Sequence, residues 1–269
     1  MEDLRGRVTL LTGAAHGIGA VTANLLATRG MDLALVDRDG DALADVVRTC
    51  TALGVRAVPI QADVTVAEDR SRALAATERE LGPVDVLVNN AAIIEWVPFV
   101  EQEPDGITRT VDTNVTAPLQ LARAVLPGMI RRRSGHLVTL ASLEGKVGVP
   151  HTATYGATKA ALLIWNAALP SELDGTGVGA TAIAPGYVTE VGMWAAWGLP
   201  APAMSGPVTP EQVARAVLRA LSDDPQEIIV RNTPTRPLLA LAAIRPEIAG
   251  WLLKVMGIDK QMKSLVSRR

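Results

Sequence analysis

A doubly wound α/β fold, with a mostly parallel seven-stranded sheet and helices on both faces, is what this sequence predicts. Three observations lead there. Seven short apolar runs rich in Val, Leu and Ile recur along the chain. They lack the polar alternation of a sheet with one wet face, and segments with apolar residues at i, i+3, i+4 and i+7 separate them. Strands apolar on both faces and spaced by helices belong in a parallel sheet between two helical layers.

The strand-like runs are Val8–Leu11, Leu33–Val36, Ala57–Ile60, Val84–Val88, His136–Leu140, Val178–Ile183 and Glu227–Val230. Ile18, Val21 and Leu25 mark the first helical face, in a segment that closes near Gly30. Val115, Leu119, Ala122, Val125 and Leu126 mark a later one. No interior stretch reads as a linker, and there is no repeat or low-complexity tract. Residues 1–231 are therefore expected to form one domain, with 232–269 as an amphipathic helical C-terminal extension. In that extension Pro237 and Pro246 stand where helices can begin. Ile248, Trp251, Leu252, Val255 and Met256 then share a face, and Gly257 follows as a cap.

The 269 residues are 48% hydrophobic and 20% charged, enough for a substantial core. A single cysteine, Cys50, excludes a disulfide framework and a Cys-based zinc site. His16, His136 and His151 show no metal-ligand spacing, so no protein-held metal is expected. Met1 to Arg7 carries acids and no apolar stretch, unlike a signal peptide. The longest uncharged run, Val191 to Pro210, is broken by four prolines and reads as a loop. A cytoplasmic location is the expectation. Residues 231–269 hold eight Lys or Arg against two Asp or Glu, net +6, on a body of net −8.

After the first strand comes Thr12-Gly13-Ala14-Ala15-His16-Gly17-Ile18-Gly19, opening into a helical pattern. Glycines allow a tight turn and let backbone amides approach a pyrophosphate, and the helix N-terminus supplies a favourable field. Asp37 ends the second strand, where a carboxylate accepts hydrogen bonds from adenosine ribose hydroxyls and repels a 2′-phosphate; this favours NAD. Arg38 and His16, both basic, leave NADP open. Asp63-Val64 follows the third strand, where a carboxylate can receive an adenine amino group, and Asn89-Asn90-Ala91-Ala92 follows the fourth. These candidates cluster at the carboxyl ends of successive strands, where open α/β sheets bind ligands.

Tyr155 and Lys159 are four residues apart, on one face of a helix. A nearby ammonium stabilises phenolate, so the tyrosine pKa is expected to fall and the phenol to serve as a proton donor or acceptor. Ser142 follows the strand His136–Leu140, placed to donate to a substrate oxygen. Asn114 sits early in a helix, where an amide is otherwise a poor choice.

Together these residues resemble the short-chain dehydrogenase/reductases of the compact single-domain type, over nearly all of residues 5–231. The motifs stand as Thr12 to Gly19, Asp63, Asn89-Asn90-Ala91, Asn114, Ser142, Tyr155 with Lys159, and Pro185-Gly186-Tyr187-Val188-Thr189. The resemblance implies a Rossmann-like fold and NAD(P)-dependent hydride transfer between a nicotinamide and a secondary alcohol or ketone. It implies Tyr155 as general acid/base, and Lys159 lowering its pKa and holding the nicotinamide ribose. Ser142 would polarise the substrate oxygen, and Asn114 would support a water-linked proton relay. Pro185, Gly186, Val188 and Thr189 would flank the nicotinamide, and Glu190 to Thr209 would form a mobile lid. Two positions depart from the family pattern. Ala92 stands where glycine is usual, and His16 where NAD enzymes favour serine and NADP enzymes a base.

Within the lid segment, Val191 to Leu199 carries Trp194 and Trp197 and no charge, which points to a hydrophobic substrate. Trp96, Glu144 and His151 are further substrate-side candidates by motif position. The basic tail has three readings: lining the substrate entrance, docking on another subunit, or lying on a membrane surface. Protein contact is favoured, with a homo-oligomer expected and no nucleic-acid partner. Two other functions compete with the enzyme reading. A nucleotide-binding regulator without turnover is opposed by the intact Asn114, Ser142, Tyr155 and Lys159 set. A sugar-nucleotide epimerase or dehydratase would need a different glycine spacing and a larger C-terminal region.

Overall fold

Seven parallel strands form one sheet in the computed structural model, which describes residues 3–191 and 206–232 with the isolated positions 245, 247, 250 and 254. The strands are β1 (Val8–Thr12), β2 (Asp32–Asp37), β3 (Ala57–Gln61), β4 (Val86–Asn89), β5 (Gly135–Leu140), β6 (Val178–Pro185) and β7 (Glu227–Val230). Each contains most of one run expected from the sequence. Their order across the sheet is β3-β2-β1-β4-β5-β6-β7. The chain starts in the middle, winds to one edge, then returns to wind to the other. The reversal falls between β1 and β4, paired as Thr9↔Val86, Leu10↔Leu87 and Leu11↔Val88. At such a switch point the loops leave in opposite directions and open a crevice at the strand ends.

The helices are α1 (Gly17–Ala27), α2 (Gly40–Ala52), α3 (Ala67–Glu80), α4 (Pro104–Val111), α5 (Ala117–Arg132), α6 (Ala153–Glu172) and α7 (Pro210–Asp223). Because successive strand residues point to opposite faces, the fully buried Leu10 and Leu11 serve two different cores. Leu11 packs with Leu26 of α1, Leu43 of α2 and Val217 of α7. Leu10 packs with Ala73 of α3, Leu121 and Met129 of α5 and Leu169 of α6. No helix of the described residues is long and apolar enough to cross a membrane.

The chain differs from expectation at one element. Asn114 lies in a turn of π-helix, Asp112–Thr116, wedged between α4 and α5. The widened turn frees its buried amide from helix-surface geometry and aims it at neighbouring elements. The expected helices of the extension lie outside the described residues, as do Trp194 and most of the segment expected to be a lid. At that segment's described edges Val188 bridges Val208, and Thr209 caps α7.

Candidate active site

The cradle at the switch point is built from glycine and one asparagine. Gly13 has φ +66°, and a Cβ there would come within 2.8 Å of Ala91 Cα. A Cβ on Gly19 would lie 1.8 Å from the Gly13 carbonyl oxygen, so only glycine lets α1 start against the turn. Asn90 Nδ2 donates to the carbonyls of Thr12 (3.0 Å) and Gly13 (2.9 Å). Thr12 Oγ1 in turn accepts the amides of Asn90 and Ala91, both at 3.1 Å. The β4 loop thereby clamps the glycine turn. The N-cap of α1, His16, makes no side-chain cap, and no acid stands in the first turn. Helix-start amides without a protein acceptor are what a pyrophosphate needs, so the residues fit a dinucleotide.

At the far end of this cradle Asp37 is fixed through both oxygens. Oδ2 accepts from Ala15 N at 3.0 Å and Oδ1 from Asp39 N at 3.2 Å. The two bases that left the cofactor open are both committed to acids. His16 Nε2 lies 2.8 Å from Asp39 Oδ2, and Arg38 Nη1 lies 3.7 Å from Asp63 Oδ2. Asp63 Oδ1 accepts from Thr65 N and Thr65 Oγ1, an Asx turn that orients the carboxylate after β3. Val64 lies beside it and packs against the core.

On the other side of the crevice, Ser142, Glu144, Tyr155 and Lys159 line one cleft with Ile18, Asn90, Pro185, Gly186 and Val188. Ser142 starts the short 3₁₀ turn Leu143–Gly145, its Oγ accepting from Glu144 N at 3.1 Å. That turn seats tightly on α6: a Cβ on Gly145 would meet the Lys159 and Ala160 backbone at 2.7–2.8 Å. Lys159 Nζ, buried, donates to Leu140 O at 2.7 Å and sits 5.6 Å from the Tyr155 ring centroid. Asn114 Oδ1 accepts from Ile93 N (2.8 Å), while its Nδ2 donates to Ile93 O (2.9 Å) and Thr158 Oγ1 (3.1 Å). It ties the loop after β4 to α6 directly behind Tyr155.

The electrostatics correct one expectation. Burial pushes the Tyr155 phenol above its ordinary pKa, and the Glu144 charge adds to this, while Ser142 opposes it. Lys159 does not reverse the balance. Its ammonium gives one of its three protons to the Leu140 carbonyl, and burial lowers its own pKa to about 8. Burial pushes Glu144 up to about 7, against a hydrogen bond with Thr152.

Of the substrate-side candidates, Trp96 and Glu144 line the cleft, and Trp194 lies outside the described residues. His151 is not among the lining residues. It has φ +66°, and its backbone carbonyl accepts from Val97 N at 3.0 Å, which makes it a turn residue beside the site. Thr189 is also off the cleft, its hydroxyl donating to Val208 O at 3.2 Å.

The family model described as short chain dehydrogenase matches residues 7–199, spanning the cradle and the Tyr155 cleft together. The chain is a short-chain dehydrogenase. Among curated relatives, the ketoacyl reductase HetN of a Nostoc species is 35% identical over 263 residues, covering 96% of this chain and 92% of the relative. The dehydrogenase/reductase SDR family member 7B of Bos taurus is 30% identical, covering 90% and 79%. A solved short-chain dehydrogenase from Sphingobium yanoikuyae in complex with NADPH superposes with TM-score 0.78 at 30% identity, covering 91% and 95% of the two chains. An actinorhodin polyketide ketoreductase variant with NADPH gives 0.77 at 29% identity, covering 84% and 96%. As a short-chain dehydrogenase the protein is a nicotinamide-dependent oxidoreductase of alcohols and ketones.

Several residues of this dehydrogenase's site escaped sequence reasoning, among them the apolar lining Ile94 and Ala141. Tyr187 lines the cleft with Tyr155, and its place inside Pro185–Thr189 was the available signal. Thr152 holds Glu144, and no sequence pattern announces that contact.

Proposed function

We propose that the dehydrogenase uses NAD in preference to NADP and interconverts a hydrophobic secondary alcohol and its ketone, with Tyr155 moving the proton. The observation that carries this is the convergence of Ser142, Tyr155 and Lys159 on one cleft adjoining the glycine cradle. When bound, the nicotinamide supplies or accepts the hydride. The chain's own groups do the rest. Ser142 Oγ orients and polarises the substrate oxygen, and the Tyr155 hydroxyl exchanges a proton with it. Lys159 holds the nicotinamide ribose and pairs with any phenolate formed. Asn114 keeps α6 and the loop after β4 in register, so that Tyr155 stays aimed. Ile94, Trp96, Val188 and Val191 give the cleft an apolar lining, which supports a hydrophobic substrate.

Asp37 supports the NAD preference. Held by two backbone amides, it stands where a 2′-phosphate would meet a carboxylate, and the neighbouring bases already face acids. A cytoplasmic homo-oligomer completes the reading. Phe99, Val100 and Ile164 leave large apolar surface exposed for a second copy to cover.

The deciding experiment is Tyr155→Phe, assayed at 340 nm with hydrophobic ketones. Loss of the proton donor should lower kcat by about 10²–10⁴-fold while NADH affinity, read by fluorescence, is retained. An unchanged kcat would refute the assignment.

A further inference from the structure

Glu144 is out of place in its surroundings. It stands in a cleft whose other lining is largely apolar, two residues after Ser142, with its own amide bonded to Ser142 Oγ at 3.1 Å. The reaction assigned above does not use it. A bare carboxylate in such a site is costly unless a partner repays the lost hydration.

The hydrogen bonds around it decide which form it takes. Buried Thr152 has its Oγ1 2.7 Å from Glu144 Oε2 and 3.1 Å from the Val149 carbonyl oxygen. A hydroxyl has one proton and cannot give it to both acceptors. Both contacts become hydrogen bonds if Glu144 carries the proton: Oε2–H donates to Thr152 Oγ1, which donates to Val149 O. Burial independently moves the carboxyl toward this neutral form, its pKa rising to about 7. Oε1 is then a carbonyl-like acceptor, and among the described residues no hydrogen bond reaches it. The titratable groups around Glu144 leave that arrangement intact. Burial holds the Tyr155 and Tyr187 phenols above their ordinary pKa and so neutral beside it, and Lys159 gives a proton to Leu140 O. Lys146 pairs with Glu227 at 2.8 Å.

We propose that Glu144 is a specificity-determining residue that accepts, at Oε1, the hydrogen bond of a substrate hydroxyl beside the reacting carbon, so that the preferred substrates are hydroxyketones and vicinal diols on an apolar skeleton. The proposal rests on the reading that Ser142 and Tyr155 hold the reacting oxygen. Ser142 and Glu144 line the same cleft from one short turn, so a substrate with two adjacent oxygens can meet both. A site built to satisfy a hydroxyl discriminates strongly against the analogue without it, because its own polar atom is then left unpaired.

The test uses pairs that differ by one hydroxyl: 2-hydroxycyclohexanone against cyclohexanone, and 2-hydroxyacetophenone against acetophenone, each reduced with NADH. Wild-type kcat/KM should favour the hydroxylated member at least tenfold. E144Q keeps a carbonyl oxygen for the substrate and an N–H for Thr152, and should retain most of that ratio; E144L should bring it near unity. A wild-type ratio below twofold, or a ratio unaffected by E144L, overturns the proposal. If no ketone of either kind is reduced, the function assigned above fails, and melting temperatures with NADH plus each ketone decide the matter of Glu144. The hydroxylated member must then give the larger rise in wild type and no advantage in E144L; equal rises overturn the proposal. ¹³C labelling of glutamate carboxyls gives an activity-free reading. A resonance titrating near pH 7 and missing from E144Q supports the neutral acid, and its absence overturns it.

Discussion

Asp37 is the residue on which cofactor choice turns. Its two backbone bonds orient the carboxylate at the end of β2, so the side chain selects by charge and not by shape. Asp37→Ser should remove the repulsion and shift the NAD/NADP ratio of kcat/KM toward NADP by about tenfold or more, roughly 1.4 kcal/mol. A ratio unchanged in initial-rate assays would show that the carboxylate does not face the ribose. The position of Asp37 was legible because strand ends are marked by where apolar runs stop. The balance of charges at Tyr155 was not. The four-residue spacing places Lys159 near the ring, but it says nothing of the Leu140 carbonyl that accepts from the ammonium or of the dry walls that raise the phenol.

Two substitutions separate binding from stability among the elements. Gly19→Ala forces a methyl into the Gly13 carbonyl and should move α1 off its turn. NADH affinity by fluorescence titration should fall more than tenfold, with a stability loss of about 1–3 kcal/mol from overpacking. Thr209→Ala instead breaks the capping box that Thr209 and Gln212 form at the start of α7. It should cost about 1 kcal/mol in chemical denaturation and leave NADH affinity unchanged. The seven strands were readable because parallel strands are apolar on both faces, and the glycine turn because few other residues tolerate its backbone. The π-turn at Asp112–Thr116 was hidden, since inserting one residue into a helical ladder changes hydrogen bonding without changing the apolar period enough to notice. The Thr152 partner of Glu144 was hidden for a related reason, being a contact between two loops.

Over the whole molecule, two buried groups set opposing acid-side behaviour. His136, within the sheet, has its pKa lowered by burial to about 4 from 6.5. Between those values the unfolded chain binds the extra proton, so this group makes stability rise with pH from about 4 to 6.5. Glu144 is raised to about 7 from 4.5, so the folded chain holds the extra proton and stability falls with rising pH across that window. The two slopes offset one another where they overlap. E144Q removes the falling one, and its melting temperature should climb more steeply than that of wild type between pH 4.5 and 6.5, then lose the wild-type decline toward pH 7. Parallel curves in scanning calorimetry would contradict the shift at Glu144.

The clamp between Asn90 and the glycine turn also joins the two windings of the chain, which meet along β1 and β4 and where α1 lies on α7. A break in the backbone at exposed Pro83 would sever the covalent tie while leaving that seam intact. The dinucleotide, touching Gly13 on one piece and Tyr155 on the other, would then act as a rivet. Two separately expressed halves should reassemble more tightly in NADH than in buffer, turning the enzyme into a split reporter of its own coenzyme.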